Sequence, residues 1–467
     1  MSAPTAALLE PGAHVHLIGI GGAGMSPLAH ILLARGYRVS GSDARGGDVT
    51  AALIQSGAQV HIGHAAAHQE GAQVVVVSTA VGGDNPERMA AEVRGVPVWH
   101  RADLLAALMR DEKAVLVAGT HGKTTTTSML AVCLQHAGLD PSFAIGGALQ
   151  SNGLSAAHGD GGIFVAEADE SDRSFLKLTP DLSIVTNVEW DHHDAYGSLA
   201  ETLEVFAQFL ARGSSDAVVV LCGDDEGARQ LSDEVTGPVI RYGLQAPADV
   251  RIVDVTQRPS GSSFTVVDGP DSATFTLAVP GLHNVRNATA AIIAARRLGA
   301  SDAAIQEALS TFTGAQRRFQ QLGVVNGVTV IDDYAHHPTE LDATIAAARS
   351  AFPGARVVAA FQPHRYSRTA VLGEALGTAL AAADVVVVAP VYAAGEMPLP
   401  DVDSGMVSRA AAAAGAVVTT VDDLEVLPEH LAGLVQSGDV LLTLGAGDIT
   451  SVGPVFLTLQ QAQGRST

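Results

Sequence analysis

The sequence predicts an α/β protein built from three successive open sheets with helices on their faces. Three observations predict it. Short apolar runs recur along the whole chain, greasy on both faces, as the buried strands of parallel sheets are. Alanine-rich stretches with helical spacing separate them. Many of the runs end in glycine or in polar clusters, at the strand ends where open α/β sheets bind ligands.

Composition bounds the reading. At 467 residues the chain exceeds one hydrophobic core, and 47% hydrophobic against 16% charged residues marks it as well packed. A net charge of −22 excludes non-specific binding to nucleic acid or anionic membrane, which needs clustered Lys and Arg. Cys133 and Cys222 are the only cysteines, too few for a disulfide framework, which fits a reducing compartment. The chain opens on no basic-then-apolar leader, and no uncharged stretch approaches the ~20 apolar residues of a membrane helix. The expectation is a cytoplasmic protein with no integral membrane segment.

The first segment, residues 1–109, opens with a strand at His14–Ile18. Gly19-Ile-Gly21-Gly22-Ala23-Gly24 follows, a G-x-G-x-x-G loop, then a helix from Ser26 to Arg35. A second strand, Tyr37 to Ser40, ends at Gly41-Ser42-Asp43. This is the Rossmann-like dinucleotide arrangement: glycines admit a pyrophosphate, and Asp43 can meet a ribose hydroxyl. The pyrophosphate of a nucleotide sugar fits it as well as a nicotinamide cofactor, and a ligand-free βα turn is the plain structural alternative. Strands at Val74–Ser78 and Val96–Trp99 continue the sheet. His61, His64 and His68 have no acid or thiol at ligand spacing and read as surface or ligand-edge histidines rather than a metal site.

The second segment, residues 110–322, holds the strongest motif. The buried run Val115–Ala118 ends in Gly119-Thr120-His121-Gly122-Lys123-Thr124-Thr125, and a helix follows. Strand, glycine loop, Lys-Thr and helix make a phosphate cradle of backbone N–H groups; Lys123 adds a point charge and the Thr124 hydroxyl can ligate Mg²⁺. Val117 stands where the usual pattern has its first glycine, so this is a triphosphate site of shortened type. The central sheet is therefore of the P-loop ATPase kind. A strand over 161–166 delivers Glu167-Ala-Asp-Glu-Ser-Asp172, one of whose acids is a natural Mg²⁺ ligand. Another, Leu182–Thr186, leads to Asn187-Val-Glu-Trp-Asp-His-His-Asp194, whose acids and imidazoles can complete a metal site. Asn284 and Asn287 share one face before an Ala/Ile-rich helix (Ala290–Leu298), where capping and purine or phosphate binding are equally open. Arg317 and Arg318 form a cation pair near a domain junction.

The last segment, residues 323–467, repeats the βα rhythm of a doubly wound domain. A strand at Val328–Ile331 ends in Asp332-Asp-Tyr-Ala-His-His-Pro338, and one at Val357–Phe361 in Gln362-Pro-His-Arg-Tyr-Ser-Arg368. Two more are read at Asp384–Val388 and Asp439–Thr443. Arg365 and Arg368, three apart, are expected as two cations on one helical face, suited to a carboxylate or phosphate.

Together these motifs resemble the Mur ligase family, ATP-dependent amide-forming enzymes of peptidoglycan precursor synthesis. Gly-Thr-His-Gly-Lys-Thr-Thr, Glu-Ala-Asp-Glu-Ser-Asp, His-Asn-x-x-Asn-Ala, Arg-Arg-Phe, Asp-Asp-Tyr-Ala-His-His-Pro-Thr-Glu and Phe-Gln-Pro-His-Arg-Tyr-Ser-Arg-Thr occur in the family's order over nearly the whole chain. The loop Gly19–Ser26 matches the alanine-adding branch. The resemblance implies three α/β domains: one for the UDP-sugar, a central ATPase, and a C-terminal one closing over ATP and amino acid. It implies that ATP drives joining of L-alanine to the lactyl carboxylate of UDP-N-acetylmuramic acid through an acyl phosphate. Gly119 to Thr125, Asn284, Asn287, Arg318 and Asp333 then match ATP contacts, and Thr124, Glu167 and His192 match Mg²⁺ ligands. Gly21, Gly22, Ala23, Gly24, Met25, Ser26, Ser42 and Asp43 fall to the UDP-sugar, and Tyr334, His336, Arg365 and Arg368 to the alanine and muramyl end. Lys123 and Arg318 would act as catalytic cations and His193 as proton acceptor, in a monomer or weak homodimer.

Two departures stand out. Trp190 occupies a place where the family has a smaller residue. No lysine lies in Leu199–Leu210, where sister branches carry a carbamoylated one, and its absence agrees with the alanine-adding branch. A recycling branch that adds an intact tripeptide to the same UDP-sugar shares nearly all these motifs. An NAD-dependent dehydrogenase or a non-catalytic nucleotide-regulated binding protein would leave the phosphate loop or its acids unexplained.

Overall fold

The computed structural model describes residues 9–464 except 194 and 246. It is a three-domain α/β fold, and its residues fall into two compact units. The first holds the chain up to Trp190 with Ser198–Arg251 and Ala288–Ala308; the second holds Asp191–Gly197, Ile252–Asn287 and the chain from Leu309 onwards.

Within the first unit, the opening sheet forms from β1 (His14–Ile18), β2 (Arg38–Asp43), β3 (Gln59–Ile62), β4 (Val74–Val77) and β5 (Val98–His100). They lie in the order β3-β2-β1-β4-β5, all parallel. Helices α1 (Ser26–Ala34), α2 (Asp48–Gln55), α3 (Pro86–Arg94) and α4 (Arg101–Met109) alternate with them. β1 and β4 are buried throughout, as central strands covered on both faces must be. α3 starts cleanly: Asn85 accepts from the N–H groups of Glu87 and Arg88, and Pro86 sits in its first turn.

The same unit's second sheet contains β6 (Lys113–Ala118), β7 (Ser142–Ala144), β8 (Ala156–Ala157), β9 (Ile163–Glu167), β10 (Leu182–Val185), β11 (Val218–Cys222) and β12 (Val239–Gly243). Their order is β12-β11-β10-β6-β9-β7-β8, with β6 flanked by β10 and β9. α5 (Lys123–His136) leaves the phosphate loop; α6 (Leu199–Leu210) and α7 (Glu226–Leu231) follow later. β6, β9 and β10 therefore bring the Lys-Thr loop, the acidic run and the Asn187 segment to one sheet edge.

Next come β13 (Val250–Arg258), β14 (Gly261–Asp268) and β15 (Asp271–Leu277), then α8 (Leu282–Arg297) and α9 (Asp302–Thr311). β14 and β15 pair antiparallel across a turn at Gly269 (φ +58), with alternating buried and exposed positions. A purely parallel reading misses them, because they alternate where the parallel strands run apolar.

The second unit's sheet orders as β16-β17-β21-β18-β19-β20, from β16 (Gln320–Val325), β17 (Val328–Asp333), β18 (Val357–Phe361), β19 (Val385–Val388), β20 (Val417–Thr420) and β21 (Val440–Leu444). Helices α10 (Pro338–Ala351), α11 (Tyr366–Leu380), α12 (Ser404–Ala413), α13 (Leu427–Leu434) and α14 (Val452–Gly464) cover both faces. Ile331, Phe361, Val386 and Leu442 pack with Leu341, Ile345 and Leu376 on one side. Val330, Ala360, Val387 and Leu441 pack with Leu431 and Phe456 on the other. The edge strand β16 is antiparallel to β17 and turns through Asn326-Gly327, both left-handed at φ +51 and +79. That is the backbone an Asn-Gly hairpin turn needs.

Candidate active site

β6 ends at Gly119, whose φ of +133 only glycine adopts easily, and whose added Cβ would stand 2.1 Å from Thr186 Oγ1. The segment after β10 laces this loop. Thr120 N–H donates to the Asn187 carbonyl (3.1 Å), and His121 N–H to Asn187 Oδ1 (2.7 Å). The His121 carbonyl accepts from Thr186 Oγ1 (2.5 Å) and Asn187 Nδ2 (3.0 Å). Glu189 N–H donates to Thr120 Oγ1 (2.8 Å). Thr186 to Glu189 thus hold the loop's shape, a role the sequence reading did not give them.

Gly122, left-handed at φ +81, turns the chain into α5. Lys123 Nζ lies 2.8 Å from Glu170 Oε2 and also donates to the carbonyls of Gly119 and Thr120. Burial works against its charge, but Glu170, Asp169 and Glu167 outweigh it and raise the ammonium's pKa. Thr124 Oγ1 donates to Glu167 Oε2 at 3.2 Å, and Glu167 Oε1 accepts from Gly146 N–H. Two of the three expected metal ligands therefore meet. The acidic run does more: Asp169 takes a 2.7 Å bond from Arg101, and Asp172 accepts from Thr79 and lies 3.5 Å from His100 Nε2. Glu170 as partner of Lys123, and Arg101, escaped sequence reasoning. The four-acid run was the available signal for the first; nothing in the sequence marks the second.

At the glycine loop, Asp43 Oδ2 accepts from Gly21 N–H at 3.0 Å, so Asp43 fixes the loop's first turn. Met25 and Ser26 are buried. The Ser42 side chain, expected beside a ligand, is wholly buried and donates to Glu87 Oε2 at 2.5 Å, with His64 Nδ1 at 2.9 Å. Glu87 also meets His16 Nε2 (3.1 Å), His68 Nδ1 (2.9 Å) and the Ala65 N–H (3.1 Å). The histidine cluster therefore does have an acid, delivered by α3, and His64 and His68 are part of a polar hub, not an unaccompanied surface group. Burial would raise the Glu87 carboxyl, but hydrogen bonds from His16, Ser42 and Ala65 hold it down at about 2.

In the second unit, Arg368 donates through Nε and Nη2 to Asp191 Oδ1 (3.2 and 3.1 Å) and through Nη2 to Oδ2 (3.2 Å). Burial opposes the Asp191 charge, but Arg368, His192 and His336 hold its carboxyl far below the usual range. Arg368 Nη1 lies 3.2 Å from His364 Nδ1, and the His364 ring stacks on Tyr392 at 5.6 Å. His336 N–H donates to Glu340 Oε2 (2.9 Å), and its Nδ1 lies 3.0 Å from the Tyr334 carbonyl. Burial pulls the His336 pKa to about 4 and that of His364 to about 3. Arg317 and Arg318 sit over the Tyr334 ring at 4.9 and 5.1 Å, and Arg318 Nη1 lies 3.6 Å from Glu340 Oε1. Asp333 accepts from the N–H groups of Phe319 and Ala335, and burial raises it to about 6.

One expectation changes here, and two more are placed. Arg365 is not on a helical face with Arg368: it precedes α11 with φ +68, its N–H donating to the Tyr392 carbonyl. Asn284 and Asn287 are buried in the first turns of α8, Asn284 Nδ2 on the Pro280 carbonyl (2.7 Å) and Asn287 Nδ2 on Asn284 Oδ1 (3.4 Å). Their side chains fasten the helix start. His192, left-handed at φ +52, and half-buried His193 form the turn after Asp191; Asp194 lies outside the described residues. Asp191, Glu340 and His364 were not singled out; the His-Pro-Thr-Glu spacing at the start of α10 was the signal for Glu340.

The chain matches three successive descriptions of one family: "Mur ligase family, catalytic domain" over residues 14–113, "Mur ligase middle domain" over 117–295, and "Mur ligase, glutamate ligase domain" over 317–447. It belongs to the Mur ligase family. A UDP-N-acetylmuramate–L-alanine ligase of Streptomyces avermitilis is 50% identical over 446 residues, covering 95% of this chain and 96% of that protein. One from Burkholderia multivorans is 48% identical over 459 residues, covering 97% and 99%. Among solved Mur ligases, the UDP-N-acetylmuramate–alanine ligase MurC of Thermotoga maritima superposes with a TM-score of 0.82 at 31% identity, covering 96% of this chain and 99% of that one. The murein peptide ligase mpl of Psychrobacter arcticus gives 0.72 at 27%, covering 96% and 98%. The loop of Gly119–Thr125 and the Thr124–Glu167 pair lie in the part matched as the middle domain, while Arg318, Asp333 and Arg368 lie in the third.

Proposed function

We propose that this chain is an ATP-dependent ligase that joins L-alanine to the lactyl carboxylate of UDP-N-acetylmuramic acid, in peptidoglycan precursor synthesis. The observation that carries it is the end-to-end likeness to alanine ligases around a formed phosphate loop, with Lys123 charged and Thr124 against Glu167.

A carboxylate is a poor electrophile, so the γ-phosphoryl of ATP is transferred to it to give an acyl phosphate. The alanine amine attacks that carbonyl, the tetrahedral intermediate collapses, and phosphate leaves. The protein's task is positioning and charge neutralisation. The N–H groups at the start of α5 and the Lys123 ammonium face the phosphates. The Thr124 hydroxyl and a Glu167 oxygen, 3.2 Å apart, are hard donors of the type magnesium takes. They would hold Mg²⁺, which when bound neutralises phosphate charge. Asn284, Asn287 and Asp333 answer to the nucleotide, Arg318 to developing charge, and Tyr334, His336, Arg365 and Arg368 to alanine and the muramyl end. His193 takes the proton of the alanine ammonium. No described helix is long and apolar enough to cross a membrane, and the reading places the enzyme in the cytoplasm, where its nucleotide substrates are made.

Phosphate release with ATP, Mg²⁺ and UDP-N-acetylmuramate tests the proposal. L-Alanine is expected to trigger release, and the L-Ala-D-Glu-diaminopimelate tripeptide is not. Release with the tripeptide alone would move the chain to the recycling branch.

A further inference from the structure

α11 begins without a cap of its own. The residue before it is Arg365, whose side chain carries only N–H donors and offers the first turn no acceptor. The acceptor comes instead from the loop between β19 and α12. Glu396 Oε2 takes the Ser367 N–H at 3.0 Å and Oε1 the Ser367 hydroxyl at 2.6 Å, so a carboxylate sits on the positive end of this helix. The same loop holds the residues just before the helix. Tyr392 N–H donates to the Pro363 carbonyl and Arg365 N–H to the Tyr392 carbonyl, both at 2.8 Å. Tyr392 is itself held: it stacks on His364, and a Cβ added to Gly447 would stand 2.6 Å from its Cγ.

What this clamp holds is strained. Arg365 has φ +68 and ψ 139, a backbone that glycine adopts readily and a residue with a Cβ does not. Thr369 fixes it from the helix side, its N–H and hydroxyl donating to the Arg365 carbonyl at 3.1 and 2.8 Å. Glycine would fit here without strain. What arginine adds is a cation at the carboxyl end of β18, where open sheets bind ligands. That cation works beside Arg368: burial first, then the charges of His336, Arg368 and Arg365, hold the His364 ring at about 3. The two arginines thus meet at one imidazole although they share no helical face.

We propose that Glu396 is a positioning residue: by capping α11 from outside, it keeps Arg365 in the strained backbone that sets its guanidinium beside Arg368 for a substrate carboxylate. The assignment rests on the function proposed above, in which these arginines answer to alanine and the muramyl end. It separates two tasks within one segment. Arg365 supplies the charge, and Glu396 with Tyr392 supplies the hydrogen bonds that hold an unfavourable backbone in place.

Glu396→Ala, Glu396→Gln, Arg365→Gly and Arg365→Ala test this in the full chain, by calorimetry and by initial rates of phosphate release taken well below the melting temperatures. Glu396→Ala is expected to raise the KM for L-alanine or for UDP-N-acetylmuramate by about 10-fold, the effect of misplacing one charged hydrogen bond, and to leave that for ATP unchanged. Glu396→Gln keeps one acceptor oxygen for Ser367 and is expected to fall between that variant and the wild type. Arg365→Gly is expected to melt above Arg365→Ala, the reverse of the order at an unstrained position. A Glu396→Ala variant that melts lower but keeps every KM would make Glu396 a structural cap alone. That result, a rise in KM shared equally by ATP, or Arg365→Gly melting at or below Arg365→Ala would each overturn the assignment. A wild type that releases no phosphate with ATP, Mg²⁺, UDP-N-acetylmuramate and L-alanine would overturn the proposed function itself, while the melting order of the two Arg365 variants would still decide the strain.

Discussion

Glu170, with a side chain 2% exposed, closes on Lys123 at 2.8 Å, so the phosphate-loop cation is paired with a buried carboxylate. Removing one partner of such a buried pair leaves an uncompensated charge and costs about 3–5 kcal/mol. Lys123→Ala is therefore expected to abolish phosphate release and also to lower the melting temperature. Adding Glu170→Gln should restore much of the stability and none of the activity. Calorimetry beside the phosphate assay checks this; a Lys123→Ala variant that melts like the wild type would contradict the pairing.

Arg368 and Asp191 make the matching pair in the second unit, with side chains 9% and 3% exposed. Asp191→Asn should destabilise the protein by roughly 3 kcal/mol, and Asp191→Asn combined with Arg368→Met by less, because no lone charge stays buried. The depressed carboxyl adds a pH dependence. Its stabilisation is fully present above the ordinary carboxylate pKa and is lost as pH falls below it towards the lower folded value. Denaturant titrations of the single and double variants read the coupling.

Acid should weaken the second unit through its buried histidines. His283 and His336, both near 4 when folded, must take up protons that the unfolded chain binds near 6.5, so stability falls between those values. Asp333 has the opposite sign: at about 6 when folded against 3.8, it binds its proton first in the native state, and acidification from 6 towards 4 favours folding. Histidine loss should win, and Asp333→Asn should steepen the fall in melting temperature from pH 6.5 to 4.5. A fall no steeper in that variant would contradict the sign assigned to Asp333.

Glu87→Gln tests the hub of the first sheet. A carboxylate serves His16, Ser42, His68 and the Ala65 N–H at once; an amide has one acceptor oxygen and presents its NH₂ to the donors on the other side. The expected cost is about 2–3 kcal/mol, with Ser42→Ala milder at about 1–2 kcal/mol, as for hydrogen bonds to a charged group. Urea unfolding reads both, and equal effects would mean that the carboxylate charge is not what matters.

The sequence made the sheets and their ligand-bearing edges legible because apolar runs and glycine loops are local signals. Val115–Ala118 into Gly119, and Val357–Phe361 into Gln362, were readable within a dozen residues. What escaped depends on contacts that no local pattern carries. Asp191 and Arg368 lie 177 residues apart, and Ser42 and Glu87 lie 45 apart. Spacing placed Arg365 and Arg368 on one face; a left-handed backbone at Arg365 removed it. The hairpin at Asn326-Gly327 was announced by its dipeptide, but the pull of the parallel βα rhythm hid it.

The lacing of Gly119–His121 by Thr186, Asn187 and Glu189 bears on how the nucleotide arrives. A loop that had to fold around its ligand would lose about 1–2 kcal/mol of backbone entropy for each residue ordered, taken directly out of affinity. Here that ordering belongs to the folding of the sheet, since the loop's carbonyls and amides are fastened to the neighbouring strand's end. The mould for the phosphates is cast when the protein folds. Nucleotide capture then needs no loop closure in this unit, and its association rate should follow diffusion and ionic strength rather than a conformational step.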